Sequence, residues 1–206
     1  AMAQIREMVY SAAKRIFKKH LLVADVISKQ IEDPKDKKIN TDLVVREASR
    51  AELAEACKNR GLDLSSSFLA AAEQRDDLCI AAFDEGALVA YSWVAFSGAP
   101  HASDVSVVVP PPFVYIYKSF CAPTHRGRSI MRDVGWERDR HALRRGRTHA
   151  IGFIEWGNQS SMRAYTKAGG RSLGVVGFVR CFGRVNTFRS RTVKPTGFCF
   201  TARVAK

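Results

Sequence analysis

Between residues 113 and 145 the chain changes its hydrophobic period across one short turn. Residues 113–121 alternate aromatic, aliphatic and polar side chains as a central strand does, whereas residues 129–145 have the pattern of a long helix that Gly146 ends. The turn between them contains an adjacent arginine and glycine, Arg126 and Gly127. A strand that turns directly into a helix favours the α/β class.

The order of the other predicted elements agrees with this class. Further strands are predicted at residues 43–45, 78–83, 88–96, 150–155, 173–180 and 186–203, and further helices at residues 49–57, 66–74 and 160–167. Ser49 and Glu52 have the spacing of a capping box, which marks the start of a helix. The residues 84–86, Asp-Glu-Gly, predict a hairpin between two antiparallel strands. We therefore predict an α/β fold with a mixed sheet.

The first 38 residues are predicted to be a basic helical extension of a domain formed by residues 39–206. Residues 4–31 are interpreted as one amphipathic helix that ends before Pro34, and residues 33–40 as a charged linker. Phe17, Leu21 and Leu22 lie beside four basic residues, a pattern that also fits a helix lying on a membrane surface. A packed helix with a solvated face is the alternative.

Composition excludes several classes of protein. A chain of 206 residues with 46% hydrophobic and 26% charged side chains can bury a core, so we expect one folded domain rather than a disordered or fibrous chain. The apolar runs at residues 87–96 and 105–116 are too short to cross a bilayer. Five scattered cysteines without a C-x-x-C pair predict neither a disulfide framework nor a zinc site. No cleavage-site pattern follows the start, so the expected location is the cytoplasm.

Charge is distributed unevenly along the chain. Residues 39–111 carry 5 basic and 11 acidic side chains, a net charge of −6, whereas residues 112–206 carry 19 basic and 4 acidic ones, a net charge of +15. The basic half favours an anionic partner: nucleic acid, acidic lipid, an acidic carrier protein or a phosphate-bearing cofactor. The chain contains no nucleic-acid recognition motif, and its two opposite charges suit a cofactor site combined with a site for a cationic acceptor.

The turn after residue 121 carries the most specific functional signal. A turn from a strand into a helix directs backbone amides and the positive end of the helix dipole at one point, which binds phosphate. Arg126, Ser129 and Met131 occupy the positions of an Arg/Gln-x-x-Gly-x-Gly/Ala motif, with Pro123 upstream. In this segment the chain resembles the GNAT acyltransferase superfamily.

A second motif strengthens this resemblance. Asn158, Ser161 and Tyr165 fit the family spacing N-x-x-A/S-x-x-x-Y, and the two motifs occur in the family's order. The resemblance covers residues 41–180. The chain departs from the pattern at Ser129 and Met131, where the family prefers small residues, and at Gly170, where it prefers Phe. A serine at a helix N-cap can donate its hydroxyl to a cofactor or accept from the first helical amides.

The resemblance implies a fold and a cofactor site. The fold is a mixed, mostly antiparallel central sheet that is splayed between two central strands, residues 113–121 and 150–155, and is flanked by helices. Acetyl-CoA, or another acyl-CoA, is expected in that wedge. The residues implied in binding it are Phe120, Cys121, Arg126, Gly127, Arg128, Ser129, Ile130, Met131, Asn158 and Ser161. Phe120 and Cys121 would act through their main chain, and Cys121 is interpreted as a core cysteine rather than a nucleophile.

The implied activity is direct transfer of an acyl group to an amine. Tyr165 is the candidate acid that protonates the departing thiolate. Glu155 is the candidate general base, with His125 and His101 behind it, although Glu155 also fits a solvated carboxylate at the end of a strand. The acceptor would be a small-molecule or peptide amine, and the Pro-rich loop of residues 97–112 is expected to shape its site.

Two alternatives to this interpretation of the function stay open at this point. One is a long-chain acyltransferase that takes its acyl group from acyl carrier protein, whose acidic surface would suit the basic half of the chain. The other is a membrane-peripheral or nucleic-acid-binding basic protein with a degenerate cofactor site. A homodimer also stays open.

Overall fold

The structure, a computed structural model, describes residues 2–33 and 42–203. The α-helices are α1 (Met2–Phe17), α2 (Arg50–Ala56), α3 (Ser66–Gln74), α4 (Ile130–Arg144) and α5 (Gln159–Lys167). The strands are β1 (Leu21–Gln30), β2 (Val44–Glu47), β3 (Leu78–Asp84), β4 (Ala87–Ala95), β5 (Gly98–Ala102), β6 (Val105–Val108), β7 (Phe113–Cys121), β8 (His149–Glu155), β9 (Arg171–Cys181), β10 (Arg184–Arg189) and β11 (Cys199–Ala202). Short 3-10 turns lie at Lys18–His20, Arg60–Leu62, Pro123–His125 and Lys194–Thr196.

These elements form two compact units. The first combines described residues from 1–30, 97–110 and 151–206, and the second those from 31–96 and 111–150. The sheet of the second unit has the strand order β7-β4-β3-β2, and all of its neighbouring strands are antiparallel. The first unit contains the strand order β10-β9-β1-β8 and a separate three-stranded sheet, β11-β6-β5. The predicted α/β class and the mostly antiparallel sheet flanked by helices are therefore confirmed.

The core of the second unit explains why β3 is apolar at almost every position. Successive side chains of a strand point to opposite faces of the sheet. Cys79 and Phe83 pack with residues of α2 and α3, whereas Leu78 and Ile80 pack on the other face with Ile130 and other residues of α4. Both faces are thus covered, and α4 is fixed against the sheet at the point where it follows β7.

The capping box at the start of α2 is confirmed. The amide of Glu52 donates to Ser49 Oγ at 3.3 Å, and the amide of Ser49 donates to Glu52 Oε2 at 2.8 Å. Arg46 donates to the same carboxylate at 2.6 Å. These bonds lower the pKa of Glu52 to about 2, with the Arg46 bond the largest cause. The predicted hairpin of β3 and β4 is confirmed as well.

The single helix predicted over residues 4–31 is wrong in its second half. Residues 2–17 form α1, but Leu21–Gln30 form β1, which pairs antiparallel with β9 from Leu21 opposite Val179 to Ser28 opposite Arg171. Leu22, Ala24 and Val26 are buried. Alternate burial and pairing with β9, which is remote in sequence, outweigh the local helical spacing. The linker predicted at residues 33–40 lies outside the described residues except for its first residue. The domain boundary predicted at residue 38 also lies outside them, so the domain division stays a prediction.

The Pro-rich segment of residues 97–112 is not a long loop, so the prediction of a loop there is wrong. It contains β5 and β6, which pair as a hairpin, and β6 also pairs with β11. Val105, Val107 and Val109 are buried. This alternation determines which face of the strand lies against the core. Pro100 is tolerated because β5 is an edge strand of its sheet.

Across residues 2–33 and 42–203, none of the helices combines the length and the apolar character that a membrane crossing requires.

Candidate functional site

The connection from β7 to α4 is built around two residues with left-handed backbone. After the 3-10 turn Pro123–His125, Gly127 has φ 81° and Ser129 has φ 60°. Glycine adopts such a conformation without strain, whereas a serine there is uncommon. A Cβ atom at Gly127 would meet nothing within 4 Å, so the outer side of the loop is open.

The loop presents a row of backbone amides that the protein leaves unused. The first bond of α4 runs from the amide of Arg132 to the carbonyl of Ser129 at 2.9 Å. Among the described residues, no acceptor faces the amides of residues 127–131. Successive amides at the positive end of a 15-residue helix have the geometry that attracts an anion such as pyrophosphate.

The two departures from the motif leave this row accessible. Met131 is half-buried and packs on the core of the second unit, and Ile130 beside it is 1% exposed. The Met131 side chain therefore fills the core rather than the space in front of the amides. The Ser129 side chain makes no capping hydrogen bond, so the capping role open to it in the sequence is not used.

Three arginines lie in or beside the loop, and they differ in their contacts with the described residues. Arg126 Nε donates to the carbonyl of Cys121 at 3.1 Å, which ties the loop to the end of β7. Arg132 Nε lies 3.1 Å from Asp133 Oδ1, and its guanidinium lies over the Trp136 ring at 4.8 Å. Arg128 is exposed and makes no hydrogen bond or ion pair within residues 42–203 or 2–33. Its charge is the most available to a bound anion.

The end of β7 directs one of the two predicted main-chain groups outward. The amide of Ala122 donates to the carbonyl of Val89 at 2.8 Å, and Cys121 pairs with Ala90. Because amides of an antiparallel strand alternate in direction, the amide of Phe120 points to β4 and that of Cys121 points to the opposite edge. Cys121 is the better placed of the two to bond a ligand through its amide.

The thiol of Cys121 has the properties of a core cysteine. It is half-buried against the core, and burial raises its pKa, although Arg126 opposes the shift. A nucleophilic cysteine needs a lowered pKa. The Phe120 ring stacks on Tyr91 with a centroid separation of 5.5 Å, so this side chain is also structural.

The second motif lies in the first unit, at the start of α5. Asn158 Oδ1 accepts from the amide of Ser161 at 3.2 Å and from Ser160 Oγ at 3.1 Å, so Asn158 is the N-cap of the helix. The hydroxyl oxygen of Tyr165 is buried. A Cβ atom at Gly170 would overlap the Tyr165 ring. The departure from Phe at residue 170 thus gives room to the tyrosine of the motif.

The carboxylate of Glu155 is held by two side chains of α1. Tyr10 Oη donates to Glu155 Oε1 at 2.6 Å, and Lys14 Nζ lies 2.8 Å from the same oxygen. Burial and the bond to Glu155 both raise the pKa of Tyr10. Both contacts are to Oε1, so this carboxylate joins the end of β8 to α1. Sequence reasoning missed Tyr10 and Lys14, because partners 145 and 141 positions away along the chain leave no local pattern.

The two histidines considered as alternative bases are also engaged. His101 lies 5.3 Å from the Phe153 ring centroid and 5.6 Å from that of Phe200, and burial lowers its pKa. His125 Nε2 lies 2.9 Å from Asp84 Oδ2, and its Nδ1 lies 2.9 Å from Thr124 Oγ1. Both histidines are thus bound into the fold.

The predicted site residues divide between the two units. The second unit brings residues 120, 121 and 126–131 together at the end of β7, and the first brings Asn158, Ser161 and Tyr165 together on α5, with Glu155 at the end of β8. The predicted wedge between residues 113–121 and 150–155 stays a prediction.

Comparison with solved structures identifies the fold. The chain matches a GCN5-related N-acetyltransferase from Kribbella flavida with a TM-score of 0.53 and 13% identity, over 80% of this chain and 62% of that one. It has the GNAT fold. It also matches AAC(6')-Iy in complex with the bisubstrate analogue CoA-S-monomethyl-acetylneamine, with a TM-score of 0.51 and 15% identity, over 73% of this chain and 99% of that one. A GCN5-related N-acetyltransferase from Sphaerobacter thermophilus matches 93% of this chain and 56% of its own length, with 12% identity and a TM-score of 0.51.

No family model matches the sequence, and a search of the curated proteins finds no match.

Proposed function

We propose that this protein is an acetyl-CoA-dependent N-acetyltransferase that acts on an amine. The row of unused amides at residues 127–131, beside the outward amide of Cys121, carries the proposal. The GNAT fold supports it, because a protein of the same fold, AAC(6')-Iy, was solved with a CoA-containing bisubstrate analogue. Acetyl is the proposed acyl group, and a small-molecule or peptide amine is the proposed acceptor.

The loop residues would hold the cofactor through its phosphates. The amides of residues 127–131 would donate to the pyrophosphate, and Arg128 would add a charge-assisted contact. When bound, acetyl-CoA supplies an activated thioester carbonyl to the amine. The amide of Cys121 would donate to a carbonyl of the ligand, and Arg126 would fix the end of β7 through its bond to the Cys121 carbonyl.

Tyr165 is the proposed proton donor to the departing thiolate. This role comes from its position in the second motif. Asn158 and Ser161 are assigned to positioning α5, because their mutual hydrogen bond caps the helix that carries Tyr165. Glu155 is the only carboxylate suggested as a base, and its contacts to Lys14 and Tyr10 favour a structural role. We therefore assign activation of the amine to water.

The test of this function is an acetyl-transfer assay with a panel of primary amines. Acetylated product, measured by mass spectrometry, should form with at least one amine, and Tyr165→Phe should lower kcat about 100-fold or more. The same variant should bind acetyl-CoA within about twofold of the unmodified protein, because its hydroxyl acts on the leaving group. Equal loss of binding and turnover would give Tyr165 a structural role. No product with any amine would contradict the proposed activity.

The carrier-dependent alternative predicts a different pattern. A long-chain acyltransferase that uses acyl carrier protein would fail to bind free acetyl-CoA but would bind the acylated carrier.

A second candidate function, binding to an anionic membrane surface, is supported by α1. This helix exposes four large apolar side chains: Met8 (67% exposed), Val9 (60%), Ile16 (76%) and Phe17 (50%). Basic residues lie beside them. Such a helix can insert its apolar side chains between lipids. Sedimentation with anionic vesicles should capture the protein, and a double change of Ile16 and Phe17 to Ser should release it. Equal sedimentation of both forms would reject this role.

A further inference from the structure

The turn between β9 and β10 has a phenylalanine at a position where this type of turn favours asparagine. Cys181 of β9 pairs with Arg184 of β10, so the turn consists of Phe182 and Gly183. Both residues have left-handed backbone, with φ 50° at Phe182 and φ 72° at Gly183. A two-residue turn of this kind favours Asn-Gly, because asparagine adopts the conformation more easily than a bulky side chain does. The backbone at Phe182 is therefore strained.

The ring of Phe182 lies outside the packing of the described residues. Phe182 is 100% exposed, whereas the ring of Phe188, on β10, lies against Gly177. A large apolar side chain in water and a strained backbone both cost free energy. Because the fold makes no use of this ring, its position points to a contact outside the chain.

The charge around the turn favours an anionic partner. Residues 171–203 carry seven basic and no acidic side chains. Of the two arginines beside the turn, Arg180 donates to Asp104 at 2.8 Å, whereas Arg184 is exposed and forms no ion pair with a described residue. An exposed aromatic ring beside cations suits an anionic bilayer, where the ring enters the interface and the cations meet lipid phosphates.

The apolar end of α1 lies at the same end of the sheet as this turn. Leu21, the first residue of β1, pairs with Val179 of β9. In an antiparallel pair, the residues before β1 and those after β9 therefore extend beyond the same end. Phe17, which is 50% exposed, and Lys18, which is also exposed, directly precede β1. A bilayer can accept Phe17 and Phe182 at once, because it presents one continuous apolar layer beneath its charged surface.

We propose that Phe182 is a second membrane-insertion residue, which enters an anionic bilayer together with the apolar end of α1. Arg184 and Lys18 would lie at the level of the lipid phosphates. Two contacts at one end of the β1–β9 pair would restrict how the first unit is oriented on the membrane. This inference deepens the membrane binding proposed for α1 and rests on it, and it does not depend on acetyl transfer.

The test variant is Phe182→Asn, which removes the ring and gives the turn its favoured residue. Its melting temperature should be equal to or above that of the unmodified protein, because the strain is relieved. Its affinity for vesicles of phosphatidylcholine and phosphatidylserine, measured by sedimentation, should fall about tenfold, because the inserted ring is lost. Phe182→Trp should retain the affinity, since tryptophan also favours the membrane interface.

A matched variant and a local probe complete the experiment. Val44→Asn removes an apolar side chain that is 57% exposed on β2 of the second unit, and it should change the affinity less than about twofold. All five cysteines are among the described residues, and of these Cys181 alone is exposed. An environment-sensitive dye on Cys181, next to the turn, should shift its emission to the blue with the mixed vesicles but not with vesicles of phosphatidylcholine alone.

The outcomes separate this proposal from the role of α1. If the unmodified protein sediments with the mixed vesicles, but Phe182→Asn sediments equally and the dye does not shift, the hairpin does not enter the membrane. The proposal is then overturned, while the role of α1 stands. If the unmodified protein does not sediment, both are overturned. A clearly lower melting temperature of Phe182→Asn would also contradict the proposal, because the fold would then require the ring.

Discussion

At the scale of single residues, a motif position does not reveal where its side chain points. Met131 stands where the related motif prefers a small residue, which suggests crowding of the phosphate site. In the structure the side chain packs on the core, because Met131 lies in the first turn of α4 on the side that faces the sheet. The residue type is known from the sequence, but the direction of its side chain depends on how the helix packs on the sheet.

Met131→Ala should therefore destabilise the protein without improving cofactor binding. The change removes a half-buried side chain from the core, so we expect a loss of about 2 kcal/mol in the free energy of unfolding, at the low end for such substitutions. The affinity for acetyl-CoA should stay within about twofold. Urea denaturation and calorimetry measure the two quantities. A large gain in affinity with no loss of stability would show that Met131 does crowd the site.

The available charge of Arg128 predicts the largest effect among the arginines of the loop. Arg128→Ala should weaken acetyl-CoA binding about tenfold, because a charge-assisted contact to phosphate is lost. Arg144→Ala is the matched control, since it removes the same charge from the exposed C-terminal end of α4, the helix that follows the loop. The control should change the affinity less than about twofold in the same titration. Equal effects of the two substitutions would mean that net charge, not the loop, governs binding.

At the scale of elements, local signals predict helices and hairpins better than they predict strand partners. The capping box at Ser49, the hairpin of β3 and β4, and the β7 to α4 turn are determined by neighbours in sequence, and the structure contains all three. The strand β1 could not be foreseen in the same way, because its partner β9 lies about 150 residues later. The contacts of Tyr10 and Lys14 with Glu155 have the same cause.

The position of β1 in the sheet leads to a test with two valines. Val26 of β1 is fully buried, so Val26→Ala should lower the free energy of unfolding by about 2 kcal/mol. Val9 of α1 is 60% exposed, and Val9→Ala should change it by less than about 0.5 kcal/mol. Thermal and urea denaturation compare the two variants. Equal, small effects would indicate that residues 21–30 are a detachable extension rather than part of the sheet.

At the scale of the whole molecule, the uneven charge distinguishes the proposed cofactor loop from a cavity of the second unit. The basic half contains the loop of residues 126–131, and the acidic part contains a cavity of about 490 Å³ lined by residues of α2, α3, β3 and β4. The sequence alone indicated both signs of charge and the loop that is proposed to bind phosphate. It did not indicate the cavity, because Asp77 and Trp93 are brought to one wall by the pairing of β3 with β4 and by the packing of α2 and α3.

The most direct test of the central claim is a calorimetric titration of the protein with acetyl-CoA at two salt concentrations. The account predicts binding to one site per chain, with weaker binding at the higher salt concentration because charged groups and a phosphate-binding loop carry part of the affinity. Binding should be absent for a short acetyl thioester that lacks the pyrophosphate. If neither acetyl-CoA nor any other CoA ester binds at either salt concentration, the loop of residues 127–131 is not a cofactor site, and the proposed acetyltransferase activity is contradicted.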